Sequence, residues 1–176
     1  ASNSQFQQTN ILPDLLDQGT GGVTEAIKRR VFLPFTGSYA ELEHVLTHEL
    51  VHAFQYDILY GSGRQALYNP LTFSPPLWFM EGMAEYLSIG GVDPNTEMWL
   101  RDGAFEGYLL PINALSLAGD IRVYRYGQSL WEYIARTYSG ANKPKIAYVY
   151  ADTEFGRDGI PGGKARAQKL GLPIVE

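Results

Sequence analysis

Ser38-Tyr39-Ala40-Glu41-Leu42-Glu43-His44-Val45-Leu46-Thr47-His48-Glu49-Leu50-Val51-His52-Ala53-Phe54-Gln55-Tyr56-Asp57 is the stretch on which the reading of this chain turns. Ser38 and Glu41 have the spacing of a capping box, in which the serine oxygen accepts an orphan N–H of the first helical turn. Leu42, Leu46, Leu50 and Phe54 recur every four residues, which predicts a helix with that stripe facing a core. Within it lies His48-Glu49-Leu50-Val51-His52, an H-E-x-x-H motif. Residues four apart on a helix point the same way, one turn above the other, so both imidazoles can reach one metal ion. Glu49 lies on a neighbouring face, where its carboxylate can hold a water on that ion without being a ligand. The chemistry needs this pattern: neutral nitrogens for Zn²⁺, an open position for water, and a nearby base to take its proton. The competing reading is a solvated helix face carrying two histidines by accident. With three histidines among 176 residues, accident produces the pattern in roughly three of a thousand shuffled chains.

Composition narrows the classes. A chain of 176 residues with 45 % hydrophobic and 19 % charged content is of a size and make-up to bury its own core. It has no cysteine, which excludes thiolate zinc sites, disulfides and cysteine nucleophiles. A net charge of −5 argues against nucleic acid or an anionic membrane as partner. No apolar run approaches a membrane span, and the first residues lack the basic-then-apolar layout of a signal peptide.

Working outward from the motif, residues 1–22 read as a polar, flexible arm ending in Gly19-Thr20-Gly21-Gly22. Arg30 to Phe35 reads as a strand that Pro34 confines to a sheet edge, where it would accept a substrate as an added strand. Residues 61–73 read as a loop. A second helix is expected from Ser74-Pro75-Pro76, with serine as cap, to Gly90-Gly91. It carries Trp78-Phe79-Met80-Glu81-Gly82-Met83-Ala84-Glu85-Tyr86. Glu81 and Glu85 share one face of an otherwise apolar helix, and buried carboxylates are costly unless paired or metal-bound. Beside the histidine motif, Glu81 is the natural third zinc ligand; the bland alternative is an exposed acidic stripe. Gly82 costs roughly 1 kcal/mol of helix stability against alanine but permits close approach of another backbone. The metzincin extension would need Gly at 55 and His at 58, where the chain has Gln55 and Ile58. Asp57 is five residues past His52, about 140° round the helix, and cannot join the same ion.

H-E-L-V-H followed by W-F-M-E-G-M-A-E-Y resembles the gluzincin branch of the zincin-like peptidases, especially the small peptidase domains found ahead of TolB-like β-propellers in bacterial secreted proteins. The resemblance implies His48, His52 and Glu81 as zinc ligands and Glu49 as base and proton shuttle. It implies Glu85 as the acid behind a ligand histidine. It also implies an extracytoplasmic location, with the cytoplasm as the alternative. Gluzincin aminopeptidases carry Y-x-x-G at the head of a later helix with an aromatic nine positions on, a spacing that Tyr124, Gly127 and Tyr133 reproduce. Tyr124 would then donate to the oxyanion of the tetrahedral intermediate, with Tyr126 as the alternative. His44, one turn before His48, could touch the site but reads better as a structural histidine.

Between these, Asp93-Pro94 looks like the start of a short helix, Thr96 to Ala104, and Ile112–Leu117 like a helical turn. Residues 141–176 change character: a strand near 145–150, a helix over 160–170 and a second extended piece resemble a fragment of the type I periplasmic solute-binding fold. The expected architecture is therefore α+β and zincin-like: an arm (1–22), a peptidase domain (23–140) with a small sheet over the motif helix and further helices, and a partial β-α-β segment (141–176). The expected function is zinc-dependent hydrolysis of a peptide or protein substrate. The competing classes are a zincin-like metal- or partner-binding module without turnover, and a solute-binding module resting on the C-terminal fragment alone.

Overall fold

The computed structural model describes residues 2–8, 16, 19–61, 74–138, 146–147, 159–169, 171 and 174–175. The loop expected over 61–73 lies outside the described residues apart from Gly61. The chain divides into two compact units, Ala1–Glu132 and Tyr133–Glu176. The described part is mostly helical with a small antiparallel sheet, an α+β arrangement.

In the first unit, the expected polar arm contains a helix, α1 (Asn3–Gln7), closed by a reciprocal Ser2–Gln5 capping box and burying Phe6. Strands β1 (Val23–Glu25) and β2 (Arg30–Phe32) pair antiparallel, with Thr24 opposite Val31. The expected strand thus ends at Phe32, before Pro34, and its partner β1 was not anticipated. Three residues behind a glycine run are too few to show an alternating pattern.

The motif helix, α2, spans Tyr39–Tyr60, beginning at Ser38 and ending at Gly61 with φ 68°. Ser38 Oγ accepts from the Glu41 N–H at 3.3 Å, while the Glu41 carboxylate accepts from Thr36 instead of returning to Ser38. Half of the capping box forms. Arg29, with φ 54°, closes the other end of α2: its guanidinium donates to the carbonyls of Tyr56 and Gly61.

One expectation reverses. Leu46, Leu50 and Phe54 are 40, 43 and 69 % exposed, so the apolar stripe of α2 does not face the core. The buried face carries His48, Glu49, His52 and Gln55. A polar face can go inside only where its groups find partners, and α3 and the hairpin supply them.

Helix α3 (Leu77–Ile89) packs on α2. Its cap is Pro76, with extended φ and ψ and no side-chain bond, so Ser74 is not the cap. Two prolines after the serine hold the chain extended and place the first helical residue three positions downstream. Helix α4 (Pro94–Phe105) starts at Asp93, whose carboxylate accepts from the N–H groups of Asn95 and Thr96. A short α5 (Ile112–Leu115) and α6 (Arg122–Thr137) follow. Trp78, Leu115, Val123 and Tyr126 form the buried apolar cluster between them. Trp78 donates its indole N–H to Ser116, and Trp131 donates to the Phe79 carbonyl. Gln128, fully buried, accepts from Thr96 at 2.6 Å and donates to the Gly91 carbonyl, tying α6 to the end of α3.

The crossing of α3 and α6 is made by two glycines. A Cβ on Gly82 would stand 2.3 Å from the carbonyl carbon of Gly127, and one on Gly127 would stand 2.5 Å from the Trp78 oxygen. Gly82 therefore does serve a close backbone approach.

In the second unit, β3 (Ile146–Ala147) and β4 (Ile174–Val175) pair in parallel, with α7 (Gly159–Lys169) between them in sequence.

Because the atoms met at Gly82 are backbone and cannot rotate away, Gly82→Ala should destabilise by about 3 kcal/mol or more, beyond ordinary overpacking and despite alanine's helix propensity. Urea denaturation measures this. Gly119→Ala, where a Cβ meets nothing within 4 Å, should change stability by no more than about 0.5 kcal/mol.

Candidate metal and catalytic site

One turn of α2 and one of α3 together floor a cleft of about 710 Å³, which Gly19–Thr24, Gly119–Ile121, Tyr124 and Arg125 also line. At its floor, His48 Nε2, His52 Nε2 and Glu81 Oε2 converge: the histidine nitrogens lie 3.1 Å apart and stand 3.1 and 3.2 Å from the carboxylate oxygen. Three acceptor atoms in a nearly equilateral triangle repel one another unless a positive charge sits between them. Ligands bonded to tetrahedral zinc at 2.0–2.2 Å are separated by about 3.3–3.6 Å, so the triangle is within a few tenths of an ångström of the size needed. The donor set, two imidazoles and a carboxylate, suits a borderline-soft divalent ion.

The far nitrogens of both imidazoles are also engaged. Glu85 Oε1 lies 3.1 Å from His48 Nδ1, and Gln55 Oε1 lies 2.8 Å from His52 Nδ1. The Gln55 contact is a hydrogen bond and the Glu85 contact an ion-pair approach; a proton held on each Nδ1 leaves each Nε2 lone pair pointing at the centre. Gln55 in turn donates to the Met80 carbonyl at 2.9 Å, so the orientation of His52 is referred back to α3. By sequence, Gln55 stands out only as a mismatch to the metzincin motif. Its position three residues after His52, on the buried side, was the available signal.

His48, His52 and Glu81 form one of two His/Glu groups, among the described residues, with ligand-type atoms close enough to share an ion. The other is His44, His48 and Glu85, in which Glu85 already faces Arg125 Nη1 at 3.3 Å. His44 Nε2 stands 3.4 Å from Glu85, within ion-pair range but not aligned as a hydrogen bond.

Glu49 is buried next to the triangle. Its Oε2 accepts from the Thr24 hydroxyl at 2.7 Å, and the same hydroxyl is 2.8 Å from Glu49's own carbonyl oxygen. Burial raises the Glu49 carboxyl, with the Thr24 bond and both histidines opposing. The hairpin reaches Glu49 because of Gly22, where a Cβ would fall 2.8 Å from Glu49 Cγ.

Two phenols flank the imidazoles. Tyr124 stacks on His48, ring centroids 6.1 Å apart, and Tyr56 stacks on His52 at the same separation. Burial and the charges of Glu81 and Glu49 push both phenols up, Tyr56 to about 12. Tyr56 was not anticipated, though it falls one turn beyond His52 on the same face. Tyr126 points elsewhere, into the apolar cluster beside Gly103. Tyr133 is 64 % exposed. Asp57 is exposed and faces Arg29.

Residues 28–105 match the model of the BSP family, described as a peptidase of plants and bacteria. The match covers α2 and α3, hence His48, Glu49, His52, Glu81 and Glu85, and supports a peptidase-like domain; it ends before Tyr124 and Arg125. No curated protein and no solved structure matches the chain.

The charges of the site set the pH behaviour of the metal-free protein. Burial alone would lower His48, but its contacts with Glu81 and Glu85 outweigh burial and raise it to about 9. Burial alone would raise Glu81 and Glu85, but the histidine contacts bring each to about 2. The stabilisation through His48 is complete below its ordinary 6.5 and lost as pH climbs through about 9. That through the two glutamates is complete above 4.5 and lost as pH falls toward about 2. Melting temperatures in chelator should therefore peak between about pH 4.5 and 6.5. Added zinc should extend the plateau upward, because a ligand must give up its proton to bind metal.

Proposed function

We propose that the chain is a zinc-dependent metallopeptidase of the gluzincin type. The observation that carries this reading is the triangle of His48 Nε2, His52 Nε2 and Glu81 Oε2 with the carboxylate of Glu49 beside it. His48, His52 and Glu81 would hold the ion, with Glu85 and Gln55 orienting the imidazoles from behind. When bound, zinc would polarise the scissile carbonyl and lower the pKa of a water in its open position.

The chain's own groups do the rest. Glu49 takes the proton of the attacking water and passes it to the leaving nitrogen. The raised position of its carboxyl suits both halves of that task. Thr24 holds the carboxylate in place from β1. Tyr124, stacked on His48, is the donor for the developing oxyanion; Tyr126, turned into the apolar cluster, is not. The strand that borders the cleft is β1 with the Gly19–Gly22 segment before it, so an extended peptide would add there, not along residues 31–35. This also supports a peptide or protein as substrate. An extracytoplasmic location follows from the resemblance to secreted bacterial peptidases and remains part of the proposal.

Glu49→Gln separates an enzyme from a metal-binding module. The amide is nearly isosteric and can still accept from Thr24, but it cannot take the proton. Cleavage of a quenched fluorescent peptide by zinc-loaded protein should fall by about 10⁴-fold, with zinc content unchanged. Equal rates in both forms would point to a contaminating protease, and no cleavage by either would favour the binding module. Tyr124→Phe should lower kcat by about 10²-fold with little change in KM, as expected for a donor used mainly in the transition state.

A further inference from the structure

Glu85 is held from more than one side. Its Oε1 faces His48 Nδ1 at 3.1 Å and His44 Nε2 at 3.4 Å, and its Oε2 accepts from Arg125 Nη1 at 3.3 Å. Arg125 follows Tyr124 on α6, its side chain is 16 % exposed, and its Nη1 also stands 3.8 Å from Asp93 Oδ2. Asp93 is itself fixed, because the same carboxylate caps α4 through the N–H groups of Asn95 and Thr96. A line of alternating charge therefore runs from His48 through Glu85 and Arg125 to the start of α4.

The geometry points to Arg125 as a positioning residue of the metal site, acting on His48 through Glu85. This inference rests on the metal reading given above. A carboxylate bound through one oxygen can turn about its last bond and swing its other oxygen toward the imidazole, changing the angle of the Nδ1 bond. Arg125 on Oε2 prevents that rotation and leaves Oε1 to His48. It has a second effect on the neighbouring His44–His48–Glu85 group: a cation entering there would meet the guanidinium charge at close range. The site should thus take one ion, at His48, His52 and Glu81. The glycine contact between α3 and α6 is what brings the guanidinium within reach of Glu85.

The test is a double-mutant cycle read by zinc affinity, measured by chelator competition with unliganded folded protein. Arg125→Gln should raise the zinc Kd about tenfold, the lower part of the range seen when such supporting partners of a ligand histidine are removed. Glu85→Gln should do at least as much. In the Glu85→Gln background, Arg125→Gln should add less than about twofold, because the group it acts through is already gone. Arg125→Lys, which restores a cation, should recover most of the affinity. A Kd within about twofold of wild type for Arg125→Gln, or the same tenfold loss in both backgrounds, would overturn the proposal. Should Arg125→Gln not fold, Asp93→Asn decides. Asparagine caps a helix as well as aspartate, so only the charge facing Arg125 is lost. A Kd raised about two- to threefold supports the proposal and an unchanged one overturns it. Wild-type protein that takes up no zinc would remove the metal reading and this proposal together; zinc uptake indifferent to Arg125 removes this proposal alone.

Discussion

Where α3 crosses α6, the two backbones touch through Gly82 and Gly127 without an intervening side chain. The rest of the site is spaced from that contact. Gly82 follows Glu81 directly, and Gly127 lies three residues beyond Tyr124 and two beyond Arg125, so the contact sets how far the phenol and guanidinium reach over the floor. Side chains between two helices normally keep their axes 8–10 Å apart. A pair of glycines removes that spacer, and the loss of helix propensity is offset by what it brings together: Glu81 beside both histidines, Glu85 behind His48, and the tyrosine stacked on His48.

The electrostatics follow from the same crowding. Glu85 and Glu49 are buried, and Glu81 half-buried, beside two imidazoles, an arrangement that ordinary packing would not support. Each carboxylate has a distinct partner set: histidines for Glu81, histidines and an arginine for Glu85, a hydroxyl for Glu49. The first two are drawn down to about 2 while Glu49 is pushed up. Three like groups around one pair of histidines are thus held differently, Glu81 and Glu85 as anions and Glu49 with its carboxyl raised.

Much of this was legible in the sequence because it obeys local rules. Spacing of four on a helix places His48 over His52 and Glu81 over Glu85, and terminal signals mark α2, α4 and the end of α3 well. What misled was burial. Leu46, Leu50 and Phe54 form a regular apolar row, but periodicity identifies a face without saying which way it turns; here the histidine face outranks it because its polar groups have partners inside. What escaped notice were contacts between segments distant in sequence. Thr24 reaches Glu49 across 25 positions and Arg125 reaches Glu85 across 40, and neither pairing leaves a periodic trace. Gln55 and Tyr56 did lie within the motif helix, and a helical projection of the buried face would have found both.

The hairpin is fastened to α2 at two places. Thr24 grips Glu49, and Arg29 grips the carbonyls of Tyr56 and Gly61, about two helical turns further on. One wall of the cleft is therefore pinned to its floor. Another part of the wall is α6, held close to α3 by glycine backbones that have no rotamer to change. These fastenings hold the hairpin and α6 against a jaw-like opening, while Gly19–Gly22 and Gly119–Ile121, outside both elements, complete the lining. On the peptidase reading, adaptation falls to the other partner: a segment must arrive already extended, or be pulled from its own structure first, before it can lie in the slot. On that reading, a slot held in this way would discriminate by the local unfolding of its substrate as well as by its side chains, favouring loops, tails and damaged chains over compact proteins.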